Sequence, residues 1–199
     1  MKLAPLRILL ALASAAFIAT QAHAIELRIS SKALEQTLTR QLFTGEGGRY
    51  YIRGKAGSAC YVYAEAPKVS FVNDRVVVHV KTHSKLGTGL RGACIGIGLN
   101  TDADVSIIPD AQGEIIGFRD ARIERLSDSK ELNFLLVPFL SRQLPQQMKV
   151  NAADLMRQLL SNSAQTTGYD LKLDNLKIHS MQVDGDALAV DLDGTLSVH

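Results

Sequence analysis

The alternation of residue types from Ala93 to Ile107 constrains the fold of this chain more than any other feature. Odd-numbered positions carry mainly Ala, Ile, Leu and Val, whereas even-numbered positions carry Cys, Gly, Asn, Asp and Ser. A period of two predicts a β-strand with one apolar face. A strand of this length spans about 50 Å, whereas most strands span about 17–20 Å. The pattern therefore predicts a tall, curved antiparallel sheet with one face in water.

The same period marks the other predicted strands. One follows a turn at Asn73–Asp74, and another follows the turn-forming residues from Pro109 to Gly113. The last two strands flank Asp184–Gly185, and Asp-Gly is a favoured two-residue hairpin turn. Leu27 and Ile29 predict a short strand entry, and Val69 with Phe71 begins the alternation before the Asn73–Asp74 turn. The other strands predicted outside the Ala93–Ile107 run are Val76–Thr82, Ile115–Leu126, Tyr169–Val183, with a change of parity near Asn175, and Ala187–Val198.

Helical spacing appears near both ends of the chain. Leu34, Leu38 and Leu42 recur every four residues and follow two serines, Ser30 and Ser31, either of which can cap a helix. The pattern predicts an N-terminal helix with a leucine stripe. A similar apolar stripe, which follows an Asn151/Asp154 start signal, predicts a helix over Leu155–Leu160.

The most apolar helical segment runs from Leu132 to Leu144. Asp128 followed by Glu131 matches the capping-box pattern, and Pro138 is expected to kink or divide the helix. Helices and antiparallel strands in separate stretches of the chain predict an α+β fold. We expect a long, strongly curved antiparallel β-sheet wrapped around one or more long helices.

The first 24 residues predict export. Lys2 and Arg7 begin the segment, Ile8 to Thr20 is apolar, and Ala22-His23-Ala24 has the small-x-small pattern that signal peptidase accepts. The apolar run is too short to serve as a membrane anchor, and no cysteine for a lipid anchor follows it. We expect residues 1–24 to be a signal peptide that is cleaved after Ala24. Residues 25–199 would then form a single domain, soluble in the periplasm or secreted.

Charge and compartment exclude several classes of ligand. The predicted leader contains two of the 22 basic residues and none of the 20 acidic residues, so the remaining chain carries 20 of each. A chain without net charge lacks a long-range attraction to polyanions. Export also separates the chain from ATP, NAD and cytosolic nucleic acid, and we expect no nucleic-acid partner.

Cys60 and Cys94 are the two cysteines of the chain. In an oxidising compartment we expect them to form one disulfide, which would brace the small and polar face of the sheet. A redox or metal pair is the alternative. Redox cysteines usually lie close together as C-x-x-C, and two thiols without a nearby histidine supply half of a zinc site.

No catalytic or metal-binding motif stands out. Gly87 to Gly92 matches G-x-G-x-x-G, but a strand pattern follows it instead of the helix that dinucleotide binding requires. His79 and His83 would lie about 13 Å apart on one strand, too far to chelate one ion. The aspartates at 184, 186, 191 and 193 divide between a turn and a strand, so no loop can wrap calcium. We therefore expect no enzyme activity, no cofactor and no metal.

Basic and aromatic residues alternate after the first helix. In an exported protein this composition suggests peripheral contact with lipid headgroups. The alternative is an ordinary pair of strands with solvated basic side chains. The residues assigned to the membrane contact are Arg49, Tyr50, Tyr51, Arg53 and Lys55.

The order of these elements resembles the tubular lipid-binding (TULIP-like) superfamily, which includes bactericidal/permeability-increasing proteins and small bacterial envelope proteins. No single motif is diagnostic, and the chain lacks the lipid-anchor cysteine of the bacterial lipoproteins. The features that match are the Ser31-capped helix with Leu34, Leu38 and Leu42, the long strands Val76–Thr82 and Ala93–Ile107, the helical part Leu155–Leu160, and the closing hairpin Gly185–Leu192.

The resemblance implies non-enzymatic binding, or transfer, of a lipid or other elongated hydrophobic ligand in an apolar groove between helix and sheet. A seam lined by Leu, Ile and Val suits such a ligand. One alternative is a structural or inhibitory envelope protein with a filled core, and a hydrolase with an unmarked site is another. The residues expected to line the groove together are Leu34, Leu38, Leu42, Ile95, Ile97 and Leu99.

Overall fold

The structure, a computed structural model, describes residues 25–198. The predicted signal peptide and its cleavage point after Ala24 lie outside the described residues. Nine strands are described: β1 (Ile25–Ser30), β2 (Arg49–Arg53), β3 (Tyr61–Val72), β4 (Arg75–Leu90), β5 (Ala93–Gln112), β6 (Ile115–Arg125), β7 (Val150–Asn151), β8 (Leu171–Asp184) and β9 (Ala187–Val198).

The strands form two antiparallel sheets. A strongly curled six-stranded sheet has the order β2-β3-β4-β5-β6-β7, and a three-stranded sheet has the order β1-β9-β8. Strands β4 and β5 pair continuously from Val76 opposite Ile107 to Leu90 opposite Ala93. The expected long, curved antiparallel sheet and the α+β class are confirmed.

The inward side of the six-stranded sheet follows the predicted parity. Val76, Val78 and Val80 of β4 and their partners on β5 are completely buried. Strand β5 continues through Pro109 to Gln112, and is therefore longer than the predicted run. The parity change expected near Asn175 is confirmed, because the pairing of β8 with β9 shifts between Leu173 and Asn175.

The described helices are α1 (Ser31–Gln41), α2 (Lys130–Pro138), a π-helical turn (Phe139–Gln143), α3 (Leu144–Gln147), α4 (Ala152–Leu160) and α5 (Ser163–Thr167). From α2 through α3 they form one continuous helical segment. Within residues 25–198, no helix has the length and apolar composition needed to cross a bilayer.

The continuous segment from α2 to α3 fills the core because its apolar side chains recur on one face. Its widening into a π-helix directly follows Pro138, the residue expected to disturb it. The cap at its start is Ser129, whose side chain accepts a hydrogen bond from the Leu132 N–H at 3.3 Å, so the expected Asp128 cap is wrong. The side chains of this segment that are fully buried are Leu132, Leu136, Phe139, Leu140 and Leu144.

Helix α1 lies against β3. Ser30 caps the helix by accepting a hydrogen bond from Ala33 N–H, and the Glu35 carboxylate accepts one from Val69 N–H at 2.9 Å. Val69 follows a bulge at which β3 loses register with β4 and Ala66 adopts a positive φ of 52°. The helix therefore docks where the sheet bends. A single apolar cluster joins α1, both sheets and the α2–α3 segment.

Candidate functional site

An apolar crevice of about 320 Å³ lies between α4 on one side and β1 with α1 on the other. Its volume lies at the lower end of the range for small-molecule sites. Met148, Val150 and Ile116 form its floor together with Leu192 of β9. The remaining lining residues are Leu27, Arg28 and Ile29 of β1, Ala33, Leu34 and Thr37 of α1, and Ala152, Leu155, Met156 and Leu159 of α4.

The first wall of the crevice comes from β1 and α1. Strand β1 pairs with β9, and its alternation turns Leu27 and Ile29 toward the core while Arg28 stays exposed. One residue later Ser30 starts α1, which places Leu34 next to the strand. A short strand followed immediately by a capped helix therefore supplies an apolar wall with a single charged side chain.

The opposite wall is α4, whose apolar stripe is left partly open. Asn151 caps the helix by accepting a hydrogen bond from Asp154 N–H at 2.9 Å. Ala152 is buried, but Leu155 is 44% exposed and Leu159 is 72% exposed. Most amphipathic helices bury such a stripe against the core. Here the stripe faces a gap, and an apolar ligand in the gap would cover it.

The charges at the crevice are matched within the protein. Arg28 bonds the carboxylate of Asp184 at 2.7 Å and that of Glu26 at 3.1 Å. The hydrogen bond to Asp184, and after it the one to Glu26, raises the pKa of Arg28 above its usual value. Among the described lining residues, Thr37 is the other polar side chain. The lining of the crevice is thus apolar apart from Thr37 and a guanidinium that is already paired.

A second and wider recess lies at the other end of β5. This groove, of about 730 Å³, separates the β4–β5 hairpin from α2. Ile97 in the groove and Ala111, which pairs with Ile116 of the crevice, are about 45 Å apart along a straight strand. The residues that line the groove are Arg53, Leu86, Gly87, Gly96, Ile97, Glu131, Phe134 and Leu135.

The structure does not bring the six predicted groove residues together. Leu34, Leu38 and Leu42 are buried as expected, and Leu34 lines the crevice. Ile95 and Ile97 lie outside this core, because they are 61% and 52% exposed. Ile97 lines the hairpin groove instead, and Leu99 packs at the edge of the core. The assignment of these six residues to ligand binding stays a prediction.

Sequence reasoning did not assign the crevice, although its signals were present. Leu155, Met156 and Leu159 have helical spacing, and Leu27 and Ile29 have strand spacing. Each pattern predicts an apolar face of its own element. That α4 leaves its stripe uncovered depends on tertiary packing, which no local spacing reports.

The segment expected to touch a membrane divides into two parts. Tyr50 stacks on Phe139 with ring centroids 5.0 Å apart, and Arg49 pairs with Glu65 at 3.1 Å. These side chains contribute to packing and ion pairing within the protein. Tyr51 packs against Tyr63. Arg53 and Lys55 are exposed, and no ion pair involves either of them in the part of the chain that the structure describes.

The predicted disulfide between Cys60 and Cys94 is confirmed. The Gly87–Gly92 motif forms the end of a hairpin, as its strand context indicated. His79 contacts Asp104 at 2.6 Å, whereas His83 contacts Glu65 at 3.0 Å. Over residues 25–198 there is no group of three or more side chains arranged to hold a metal ion.

Comparison with solved structures finds a distant likeness in fold. No protein-family model and no curated protein sequence matches the chain. Among solved structures, the chain is similar to the crystal structure of lipopolysaccharide binding protein, with a TM-score of 0.36 and 11% sequence identity. The match covers 87% of this chain and 50% of that one, so this chain spans about half the length of that protein. A likeness of this degree carries no residue role or function to this chain.

Proposed function

We propose that this protein is exported and binds a lipid-like amphiphile without converting it chemically, with the apolar chain of the ligand in the crevice beside α4. The open leucine stripe of α4 is the observation that carries the proposal. Leu155 and Leu159 are exposed on a helix whose Ala152 and Met156 reach the core. Covering such a stripe gains free energy, at about 0.8 kcal/mol for each buried methylene of a ligand.

The expected ligand is a single aliphatic chain with a solvent-exposed head. The crevice is small, and a chain of about ten methylenes would gain about 8 kcal/mol before the costs of association. Arg28 is already paired with two carboxylates, so an anionic head meets no free cation at this lining. The alternative of a structural or inhibitory protein with a filled core predicts that no lipid binds there.

Filling the crevice tests the proposal directly. Ala33 lines the crevice and is exposed, so a larger side chain can enter the gap without displacing the core. We expect Ala33→Trp to weaken binding of a fluorescent fatty acid by about tenfold or more, because it removes the volume for several methylenes. Fluorescence titration measures the dissociation constant, and organic extraction with mass spectrometry identifies any lipid carried by the native protein.

Lys32→Trp is the matched control. Lys32 is the neighbouring exposed residue on α1 and does not line the crevice. It adds the same side chain to the same helix, and we expect it to leave binding unchanged. Two outcomes would favour the structural alternative. In the first, the wild type and both variants bind the probe with equal affinity. In the second, the native protein carries no lipid and takes up no probe.

Export is tested separately by intact-mass measurement. The charged start, the apolar run and Ala22-His23-Ala24 motivate the proposed cleavage. Protein recovered from the envelope or medium is expected to begin at Ile25. A mass that includes Met1 in that fraction would contradict processing, and recovery from the cytosol alone would contradict export.

A further inference from the structure

The β4–β5 hairpin extends beyond the apolar core. Its turn is Arg91–Gly92, with φ values of 49° and 81°, and Leu90 pairs with Ala93 across it. Positive φ at both central residues is typical of the tight hairpin turn that suits twisted strands. Lower in the same sheet Val80 and its partner Ala103 are fully buried. The apolar face of the sheet thus continues past the helices that cover it.

The exposed part of this face is strongly apolar. Leu90 is 55% exposed, and Ile95 and Ile97 are exposed to a similar degree. On α2, across the groove, Phe134 is 78% exposed. Exposed large apolar side chains that occur together mark interaction sites more often than isolated ones do. We call this end of the molecule, formed by the hairpin residues 85–98 with Phe134 and the 53–60 loop, the hairpin end.

The other face of the hairpin carries mainly glycine, beside Lys85 and the Cys94 disulfide. Gly87 pairs with Gly96, and a Cβ atom on Gly96 would overlap the carbonyl oxygen of Leu86. A Cβ atom on Gly87 would likewise overlap the carbonyl oxygen of Ile95. The backbones approach so closely that only glycine fits. The hairpin is therefore a thin ribbon that presents apolar side chains on one side.

Several basic side chains lie at the same end of the molecule as the exposed apolar ones. Arg53, Lys55, Lys85 and Arg91 are all exposed, and none forms an ion pair within residues 25–198. No acidic residue occurs from 47 to 64 or from 75 to 101. The disulfide joins these two segments, so the basic residues of the 53–60 loop lie beside the hairpin.

The start of α2 contributes the acidic side chains of this region. They are Asp128 and Glu131, and Lys130 lies between them. Hydrogen bonds from its own backbone N–H and from the Ser129 hydroxyl lower the pKa of Glu131, so it stays ionised. The hairpin and loop themselves carry only basic charges, and the hairpin end is therefore cationic.

We infer that the hairpin end docks on an anionic lipid membrane. Leu90, Ile95 and Ile97 would enter the boundary between headgroups and acyl chains, and the basic side chains would contact lipid phosphates. A second copy of the same end would repel this one, because the basic side chains of both copies would face each other. A neutral membrane would leave these basic side chains without anionic partners. The inference does not depend on ligand binding in the crevice.

Co-sedimentation with lipid vesicles tests the inference. We expect the purified protein to bind vesicles of phosphatidylcholine and phosphatidylglycerol in low salt. It should bind pure phosphatidylcholine vesicles at least about tenfold more weakly. High salt should release it from the anionic vesicles, because the basic residues are exposed to screening. Ile95→Ser with Ile97→Ser should lower the partition coefficient about tenfold, since both apolar anchors are lost. Lys55→Gln with Arg91→Gln should reduce binding to the anionic vesicles alone.

The controls lie away from the hairpin end. Val72→Ser removes an equally exposed apolar residue at the opposite end of the β3–β4 pair, and Lys177→Gln removes an exposed charge on β8. Both should bind vesicles like the wild type, and far-ultraviolet circular dichroism should be unchanged in all variants. The inference is wrong if the wild type does not bind anionic vesicles or if the isoleucine variant binds them as well as the wild type. It is also wrong if the control variants lose as much binding as the isoleucine variant. Vesicle binding by Ala33→Trp should match the wild type, which separates this inference from the function of the crevice.

Discussion

Leu38→Asp is expected to abolish the native fold. Leu38 is fully buried at the centre of the α1 stripe, within the apolar cluster that joins both sheets. The described residues near it on the stripe, Leu34 and Leu42, offer no partner for a carboxylate. Burying an unpaired charge costs at least about 4–5 kcal/mol, which is comparable with the whole stability of about 5–15 kcal/mol for an ordinary domain. Far-ultraviolet circular dichroism and thermal melting measure the loss.

Thr39→Asp is the matched control for this prediction. It places the same charge one residue along α1, where the side chain is exposed. An exposed substitution of this kind changes stability by about 0.5 kcal/mol or less, so the melting temperature should stay close to that of the wild type. If Leu38→Asp melts at the wild-type temperature, α1 does not form part of the core.

Local periodicity predicted the elements well because side-chain direction repeats every two residues in strands. Alternation located the strands around Val76–Thr82 and Ala93–Ile107, and even the parity slip near Asn175 appears as a register shift. The glycine motif at Gly87 was distinguished from a nucleotide loop by the strand pattern that follows it. In each case the deciding information lay within a few residues of the chain.

Periodicity did not show where the core ends. Ile95 and Ile97 share the parity of buried residues on β5, yet they lie beyond the helices that cover that face. The same limit explains the crevice, because the stripe of α4 predicts an apolar face but not its covering. The division into two sheets was also missed, since β1 pairs with β9 from the other end of the chain. These features depend on contacts between distant segments.

The two recesses differ in what a ligand would find there. The crevice is enclosed by apolar residues, and the guanidinium of Arg28 is matched by carboxylates. The groove beside Ile97 is wide, and Arg53 and Glu131 line it together with exposed Phe134. A lipid that moves from a membrane into the protein would need a surface that contacts the membrane and a cavity that holds its acyl chain. In this protein the two candidate features lie at different places. The proposed membrane attachment at the hairpin end and the proposed ligand binding beside α4 can therefore be tested with separate variants.

Removal of the disulfide is expected to lower stability substantially while leaving the crevice functional. Cys60 and Cys94 are 34 positions apart, so their bond closes a loop that contains all of β3 and β4. On the chain-entropy model, opening such a loop in the unfolded state costs the native protein about 3–4 kcal/mol. Cys60→Ser with Cys94→Ser should therefore unfold at a lower urea concentration, as followed by circular dichroism. The double variant avoids leaving a reactive single thiol.

Reductant and ligand binding supply the controls for this last prediction. Reductant should destabilise the wild type to the level of the double variant and should have no effect on the double variant itself. Fatty-acid binding should persist in the double variant at urea concentrations where it remains folded, because the bridge lies near the hairpin and the crevice lies at the other end of β5. The backbone hydrogen bonds of the β3–β4 and β4–β5 pairs can hold these strands together without the disulfide. These pairs include Tyr61 opposite Lys85 and Gly89 opposite Cys94. If the double variant loses less than about 1 kcal/mol of unfolding free energy, the unfolded chain is already compact between the two cysteines. Two titratable thiols in the unreduced, unfolded wild type would show that the bridge does not form.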